Sequence, residues 1–494
     1  MDDQTPLRAQ SQSQSQSQSQ GARPGPFDEM TVDGTSLRPP YAEWKRWFDG
    51  EDAARLAAKG AEAETLFRRT GITFAVYGQE EAAERLIPFD MVPRVISAAE
   101  WDRLERGIAQ RVRAINLFLH DVYHDGRCIS DGIVPETLIR DNAAFCPPMV
   151  GVDPPGGVYT HIVGTDIVRT GEGEFYVLED NARIPSGVSY MLENRETMMR
   201  MFPELFAAAH VRPVEDYPAA LRRSLAKVAP PAHGGGQVSV AVLTPGVHNS
   251  AYFEHSFLAD QMGVPLVEAS DLTVRGGRVV MRTTMGFEAV DVLYRRVDDA
   301  FLDPLTFDPN SLLGVPGIMD VYRAGGITIA NAPGTGIADD KAVYAYMPDI
   351  VRYFTGEDAI LPNVPTHRCE DPDVCTDVLD RLDELVVKEV HGSGGYGMLV
   401  GPTASPEERA AFAEVLRANP AGYIAQPTLA LSTVPILTPG GLSPRHVDLR
   451  PFVLVSDEIR MMPGGLTRVA LTEGSLVVNS SQGGGTKDTW VLAQ

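Results

Sequence analysis

The spacing of apolar residues along this chain of 494 residues changes from a helical period to a strand-like one. Between positions 98 and 123, apolar side chains recur every three or four residues, which is typical of a helix with one buried face. Ser97 and Glu100 have the capping-box spacing at its start. An alanine-rich run from 53 to 67 predicts another helix. The region from 41 to 123 is therefore expected to be mainly helical.

Strand-like patterns follow this region. The runs 159–163 and 175–178 flank a Gly-Glu-Gly sequence at 171–173 and predict a hairpin. A glycine-rich linker at 233–236 precedes short apolar strands at 238–243, 265–267, 290–294 and 327–330, with a helix predicted over 252–262. Strands that alternate with helices in this way predict a small doubly wound α/β layer. Beyond it, the pattern predicts a helix over 406–418 and strands at 423–426 and 449–455.

Composition narrows the possible partners. The chain has 66 acidic and 43 basic residues, and its net charge of -23 opposes non-specific binding to nucleic acids and to anionic membranes. Four scattered cysteines do not make a disulfide framework. The sequence has no signal-peptide pattern and no apolar run of membrane-spanning length. We therefore expect a cytoplasmic protein, with a disordered Ser/Gln-rich tail at 1–26.

The segment 386–400 carries the most informative polar pattern. Lys388 lies in a β-branched run, and Gly392, Gly394 and Gly397 follow with the spacing G-x-G-x-x-G. An apolar run and a Gly-Pro pair come next, so the glycines are expected to join two antiparallel strands and not to open a dinucleotide-binding helix. Lys388 precedes the glycines, whereas the nucleotide lysine of protein kinases follows them. A phosphate cover and an ordinary glycine-rich hairpin both fit this pattern.

A second polar pattern lies at the end of the predicted hairpin. On a strand, Glu179 and Asn181 point to the same face, so their oxygens can bind one hard cation together. Asp166, on the preceding strand, is placed to add a third oxygen. Magnesium prefers such a small set of protein oxygens, completed by phosphates and water. The alternative is a solvated acidic edge.

Three other motifs are ambiguous. His120 and His124 are four residues apart, but no third metal ligand is indicated, so an ordinary helix surface is favoured. Arg295 and Arg296 end a predicted strand and fit either a substrate carboxylate or a structural ion pair. The segment 483–488, with Lys487, is interpreted as an anion-binding loop, with a simple turn as the alternative.

Taken together, the lysines, the glycine segment and the E-x-N strand resemble the parts of an ATP-grasp enzyme. Their order is rotated, because the metal strand precedes the lysines, and this order resembles the circularly permuted ATP-grasp proteins, type 2. That family has relatives among glutathionylspermidine synthases. The segments that carry the resemblance are R-L-I-P-F-D-M-V-P-R at 85–94, V-L-E-D-N-A-R-I-P-S-G-V-S-Y at 177–190, A-D-D-K at 338–341 and V-V-N-S-S-Q-G-G-G-T-K-D-T-W at 477–490.

The resemblance implies an α+β chain with a circularly permuted ATP-grasp fold, a small doubly wound α/β layer and an N-terminal helical region. It implies four units after the tail. These are a mainly helical region at 27–150, the permuted metal-binding part at 151–235, an α/β substrate layer at 236–335 and a nucleotide-binding region at 336–494.

The resemblance also implies ATP and Mg2+ as cofactors. Relatives carry an arginine two residues before the metal aspartate where this chain has Gly164, so Arg169 or Arg183 is expected to replace it. The implied metal ligands are Asp166, Glu179 and Asn181, and the implied catalytic residues are Arg450, Arg468 and Arg183. The implied ATP contacts are Lys341, Lys388, Gly392, Ser393, Gly394, Gly395, Gly397 and Gln426.

The activity that the resemblance implies is an ATP-dependent ligase that joins a carboxylate to an amine through an acyl phosphate. Its substrates are expected to be small molecules or peptides, with no nucleic acid and no membrane as partner. A phosphotransferase that uses the same pocket and a non-catalytic nucleotide-binding protein are the alternatives. The intact Lys388 and the E-x-N strand disfavour the non-catalytic alternative. The sequence does not identify the substrates, the general base or the oligomeric state.

Overall fold

The computed structural model of the chain describes residues 25–32, 34–70, 73–75, 84–392, 397–479 and 483–493. The predicted tail at 1–26 lies almost entirely outside these ranges. Among the helices in the described ranges, none is both long and apolar enough to cross a membrane.

The α-helices of these ranges are Ala42–Asp49, Ala53–Thr70, Ala98–Tyr123, Arg127–Ser130, Glu136–Arg140, Val188–Met201, Pro203–Ala209, Tyr217–Lys227, Tyr252–Met262, Asp299–Leu302, Ile318–Arg323, Lys341–Tyr344, Met347–Thr355, Pro372–Asp380 and Pro406–Ala418.

The largest sheet has seven strands and brings distant parts of the chain together. Phe89–Ile96 pairs in parallel with Gly485–Val491, and all the other pairs are antiparallel. The strand order is Phe89–Ile96, Gly485–Val491, Ile459–Val469, Gly441–Val455, Ile162–Gly171 and Glu174–Asn181, with Thr433–Thr438 paired to the start of Gly441–Val455. The predicted hairpin is therefore part of a sheet that joins Phe89–Ile96 to strands from the C-terminal part of the described chain.

Two four-stranded sheets complete the frame. The first is parallel and contains the predicted α/β layer, in the order Thr328–Ala330, Val292–Arg295, Val240–Leu243 and Leu266–Val267. The second is antiparallel, in the order His367–Arg368, Tyr423–Pro427, Leu385–Glu389 and Met398–Val400. The glycine segment thus joins two antiparallel strands, as its sequence predicts.

Smaller sheets are peripheral. Leu272–Arg275, Arg278–Thr283 and Gly286–Ala289 form a three-stranded antiparallel sheet that the sequence patterns did not predict. Two-stranded pairs join Thr31–Val32 to Ser36–Leu37 and Thr73–Ala75 to Glu84–Leu86.

The helix Ala98–Tyr123 connects the large sheet to the α/β layer. It begins as predicted, because the Glu100 N–H donates to Ser97 Oγ and the Glu100 carboxylate accepts the Ser97 N–H. Its first half, including Leu104, packs in one cluster with Val163 and Val453 of the large sheet. Its second half, including Phe118, packs with the α/β layer. Burial of each such side chain contributes about 1.5–3 kcal/mol, so the helix fixes the two sheets relative to each other.

Two of the ambiguous polar motifs are structural. Lys487 is fully buried and donates to Asp90 and to the carbonyl oxygens of Val92 and Pro435. The interpretation of this segment as an anion-binding loop is therefore wrong for Lys487, whose charge is already neutralised inside the protein. Arg295 and Arg296 are also buried and bind carbonyl oxygens and carboxylates of neighbouring segments, which supports the ion-pair alternative.

Candidate functional site

A cavity of about 770 Å3 lies between residues of the seven-stranded sheet and residues of the antiparallel four-stranded sheet. Its volume falls in the range of ligand pockets. Gly397 closes the glycine hairpin without lining the cavity, and Ser393, Gly394 and Gly395 lie outside the described residues. All the other residues implied as metal ligands, catalytic residues or ATP contacts line this one cavity: Asp166, Glu179, Asn181, Arg183, Lys341, Lys388, Gly392, Gln426, Arg450 and Arg468.

Two adjacent strands place the oxygen donors. Asp166 lies directly opposite Glu179 in the antiparallel pair, and Asn181 lies opposite Gly164. Asp180 points to the other face, where Arg111 holds it through hydrogen bonds of 2.8 Å from Nε to Oδ1 and 2.6 Å from Nη2 to Oδ2. The alternation along the strand therefore separates a structural carboxylate from the two donors that face the cavity, as the E-x-N pattern predicts.

Asp166 is enclosed by two arginines. Arg450 Nη2 donates to Asp166 Oδ2 at 2.8 Å, and Arg468 Nη2 donates to the same oxygen at 2.6 Å. Burial would raise the pKa of Asp166, but the two guanidinium groups outweigh burial and hold it below its ordinary value. Asp448 accepts from Arg468 Nε at 2.9 Å and fixes its orientation. The carboxylate is therefore ionised and lies between two positive charges.

Gly164 makes room for one of these arginines. A Cβ atom at Gly164 would lie 3.2 Å from Arg450 Cδ, closer than ordinary van der Waals contact. Arg169, by contrast, is buried beside Glu29 and Glu100 and does not line the cavity, so the expectation that it replaces the missing arginine is wrong. Arg183 does line the cavity and pairs with Asp298 at 3.0 Å.

The two lysines approach from the opposite side. Lys388 Nζ donates to Gln426 Oε1 at 2.9 Å, and Gln426 Nε2 donates to Thr366 Oγ1 at 2.9 Å. Burial lowers the pKa of Lys388, Glu179 opposes this shift, and nearby Lys341 adds to it. Lys341 Nζ donates to the carbonyl oxygen of Gly392, at the start of the glycine segment. The cavity thus contains two lysines and two arginines around the predicted metal ligands.

Three titratable residues of the site were not singled out from the sequence. Asp339 Oδ1 accepts the Arg183 N–H at 3.1 Å, and burial raises the pKa of Asp339 to about 7 although Arg183 opposes the shift. Asp340 lies 3.1 Å from His391 Nδ1, and this hydrogen bond raises the pKa of His391. Both aspartates belong to A-D-D-K, but Asp340 also caps the helix that Lys341 begins, and a cap gives the same sequence signal.

The donor set fits a magnesium ion. Two carboxylates and one amide are hard oxygen donors of the kind that Mg2+ binds together with phosphates and water. The amide nitrogen of Asn181 is buried and forms no hydrogen bond within the described ranges, so the amide is not committed to a protein partner. Asp166, Glu179 and Asn181 are therefore the residues that would hold the ion.

Comparisons with known proteins identify the family of the chain. The family described as circularly permuted ATP-grasp type 2 matches residues 93–470. An uncharacterized protein of Synechocystis sp. is 52% identical over 95% of this chain and 98% of its own length. A Frankia alni protein named "Putative glutamate--cysteine ligase 2-3" is 44% identical over 95% of this chain, which spans 54% of that protein.

The fold also resembles a solved structure of very different sequence. A glutathione synthetase-like effector from Globodera pallida, in its apo form, superimposes with a TM-score of 0.57 at 10% identity, over 90% of this chain and 98% of the effector. The α+β fold with a permuted ATP-grasp core, a small α/β layer and an N-terminal helical region is thereby confirmed. The chain belongs to the circularly permuted ATP-grasp family, type 2, a family of ATP-grasp-type ligases.

Proposed function

We propose that the protein is an ATP- and Mg2+-dependent ligase that joins a carboxylate to an amine through an acyl phosphate. The observation that carries this proposal is the convergence of Lys341, Lys388, Arg450 and Arg468 on one cavity with the Asp166, Glu179 and Asn181 donors. Four positively charged side chains around a set of metal-binding oxygens suit a nucleoside triphosphate whose terminal phosphoryl group is transferred.

The proposed reaction has two steps. An oxygen of the substrate carboxylate bonds to the γ-phosphorus of ATP, and the bond from that phosphorus to the ADP oxygen breaks. The amine then bonds to the acyl carbon, inorganic phosphate leaves, and the nitrogen loses a proton. A bound Mg2+ supplies charge neutralisation at the phosphates.

The cations of the chain have distinct positions in this proposal. Lys388 and Lys341 lie on the side of the four-stranded sheet and the glycine segment, so they are assigned to the phosphates of ATP. Arg450 and Arg468 lie against Asp166, on the side of the metal donors. They are assigned to the charge that develops on the transferred phosphoryl group and on the tetrahedral oxyanion. Arg183, on the rim beside Asp339, is assigned to the substrate carboxylate.

The glycine hairpin is assigned the exclusion of water. Its first residue, Gly392, accepts a hydrogen bond from Lys341, so a ligand that binds Lys341 competes directly with a contact of the hairpin. An acyl phosphate is hydrolysed by water, and closure of a phosphate cover limits this loss.

Asp339 is the candidate acceptor of the amine proton. It lines the cavity, and two backbone N–H groups at Ala182 and Arg183 hold its carboxylate in place. A general base works best when its pKa lies near the working pH, and burial raises the pKa of Asp339 to about 7.

The name of one relative indicates a class of substrate. The Frankia relative bears the name of a glutamate–cysteine ligase, but this chain spans only 54% of that protein. Its named reaction therefore supports an amino acid or small peptide as carboxylate or amine donor, without fixing which one.

The test is an ADP-release and phosphate-release screen with Mg2+ across pools of amino acids, short peptides and polyamines. Wild type is expected to form ADP, phosphate and an amide in equal amounts, and Lys388→Ala is expected to lose this turnover. A stable phosphorylated product without phosphate release would identify a phosphotransferase instead. ATP binding without turnover in any pool would favour the non-catalytic alternative, and full turnover in Lys388→Ala would contradict the assignment of this cavity.

A further inference from the structure

A second cluster of metal-ligand side chains lies at the C-terminal end of the helix Ala98–Tyr123, outside the cavity described above. It contains His120, His124 and Asp153, whose ligand atoms all lie within 4.8 Å of one another. None of the three lines the candidate active site. We propose that these residues bind a divalent transition-metal ion of the zinc class.

The cluster brings two imidazoles and a carboxylate within a short distance of one another. The two rings are stacked with centroids 4.2 Å apart and an interplanar angle of 3°. His120 Nε2 lies 3.6 Å and His124 Nε2 lies 3.2 Å from the same atom, Asp153 Oδ1. Ligands that bind zinc at about 2.0–2.2 Å are separated from one another by distances of this size. Because the two rings are nearly parallel, their Nε2 lone pairs do not yet converge, so the imidazoles must turn about their Cβ–Cγ bonds for one ion to bind all three atoms.

The hydrogen bond on the other nitrogen of His124 orients its free lone pair. His124 Nδ1 lies 3.0 Å from the carbonyl oxygen of His120, which can only accept, so Nδ1 carries the proton. In the neutral His124 ring, Nε2 then carries a lone pair and lies beside Asp153 Oδ1. This atom is shielded from solvent and forms no hydrogen bond within the described part of the chain. A cation between the nitrogen and the oxygen satisfies both atoms.

Hydrogen bonds of the residues that precede Asp153 hold its loop near the histidines. The Gly151 N–H donates to the carbonyl oxygen of Tyr123 at 2.8 Å, at the end of the helix. The Tyr159 hydroxyl donates to the carbonyl oxygen of Val152 at 3.0 Å. These bonds hold Gly151 and Val152, the two residues that precede Asp153 in the loop. An ion bound to the cluster would tie this loop to the helix.

The donor types separate this site from the one proposed for magnesium. Imidazole nitrogens favour Zn2+, Ni2+ and Co2+, whereas Mg2+ prefers oxygen donors. The His120 and Asp153 side chains are 49% and 79% exposed, so the remaining coordination positions are open to water. The sequence favoured an ordinary helix surface because the third ligand is supplied by a loop and cannot be seen from the helix alone.

The test is a titration of the chelator-treated full chain with Zn2+ by calorimetry and with Co2+ by visible absorption, both in excess Mg2+. Wild type is expected to bind one ion per chain in a saturable way and to show a higher thermal midpoint with Zn2+. His120→Ala and Asp153→Asn are expected to weaken binding by about tenfold or more. Asp125→Asn, at the same helix end but outside the cluster, is the matched control and is expected to bind like wild type.

Further variants distinguish a specific site from adventitious binding of the metal ion. Glu179→Ala is expected to keep the zinc-class site, because its carboxylate belongs to the other cavity. Equal affinity in wild type, His120→Ala and Asp153→Asn would show adventitious surface binding and overturn the proposal, as would the absence of saturable binding in wild type. Asp153 is mostly exposed, so Asp153→Asn keeps the comparison valid even if His120→Ala fails to fold.

Discussion

Arg450 packs closely against Gly164, because a Cβ atom on the glycine would lie 3.2 Å from Cδ of the arginine. Gly164→Ala is therefore expected to displace the Arg450 side chain by a few tenths of an ångström. We expect the specificity constant for ATP turnover to fall about tenfold, because small misplacements of a charged group in a reactive site are costly. The assay is ADP release at fixed Mg2+, beside a thermal melt that is expected to change little.

The matched control for this substitution is Gly234→Ala. A Cβ atom at Gly234 would meet nothing within 4 Å. Turnover is expected to be unchanged in the control. Unchanged turnover in Gly164→Ala would show that Arg450 is not positioned by this contact.

Removal of the Asp166 carboxylate is expected to destabilise the fold. Asp166→Ala leaves Arg450 and Arg468 without their shared partner in a largely buried site. The loss of one partner of a buried ion pair costs about 3–5 kcal/mol of unfolding free energy. Urea denaturation of wild type and variant measures this difference.

A surface ion pair provides the comparison. Asp216 pairs with Arg460 at 2.7 Å, and both side chains are more than a third exposed. Asp216→Ala is expected to cost about 0–1 kcal/mol, because water already solvates both charges. Equal losses in the two variants would mean that the Asp166 cluster contributes no more than an ordinary surface pair.

Asp339 is expected to make stability depend on pH. Its pKa is raised to about 7 by burial, so between the ordinary aspartate pKa of 3.8 and pH 7 the folded state binds more protons than the unfolded state. The contribution of Asp339 to the unfolding free energy is therefore complete below pH 4 and falls as the pH rises toward 7. Asp339→Asn does not ionise and is expected to lose less stability between pH 5 and pH 8 than wild type does, by denaturation at both values. The same pH dependence in both proteins would contradict the raised pKa.

Glu179 is expected to control the magnesium requirement. Glu179→Ala removes a carboxylate that faces the cavity opposite Asp166, so the Mg2+ concentration for half-maximal turnover is expected to rise about tenfold or more. Glu172→Ala is the control, because this side chain is 82% exposed in the turn of the same hairpin. An unchanged magnesium requirement in Glu179→Ala would remove Glu179 from the metal site.

Local periodicity was sufficient for the long helices. The segments Ala98–Tyr123, Tyr252–Met262 and Pro406–Ala418 have the predicted bounds. A capping serine precedes the first and the third, and Gly263 in a left-handed conformation ends Tyr252–Met262, and these are local signals. The glycine hairpin was predicted for the same reason, from apolar runs on both sides of the glycines.

Long-range pairing was not visible in the sequence. The strand Phe89–Ile96 lies within a stretch predicted to be mainly helical, and its partner is at the far end of the chain. It contains Pro93, which an edge strand tolerates but which weakens the local strand signal. The enclosure of Asp166 by Arg450 and Arg468 has the same cause, because cross-strand side-chain contacts have no fixed spacing along the chain.

The parallel pair between Phe89–Ile96 and Gly485–Val491 has a consequence for biosynthesis. Within the described ranges, Gly485–Val491 is the only strand that pairs with Phe89–Ile96. The strand Phe89–Ile96 therefore stays unpaired until residues 485–491 have been translated. During that interval its unpaired edge is exposed to other nascent chains, and the seven-stranded sheet beside the cavity stays incomplete.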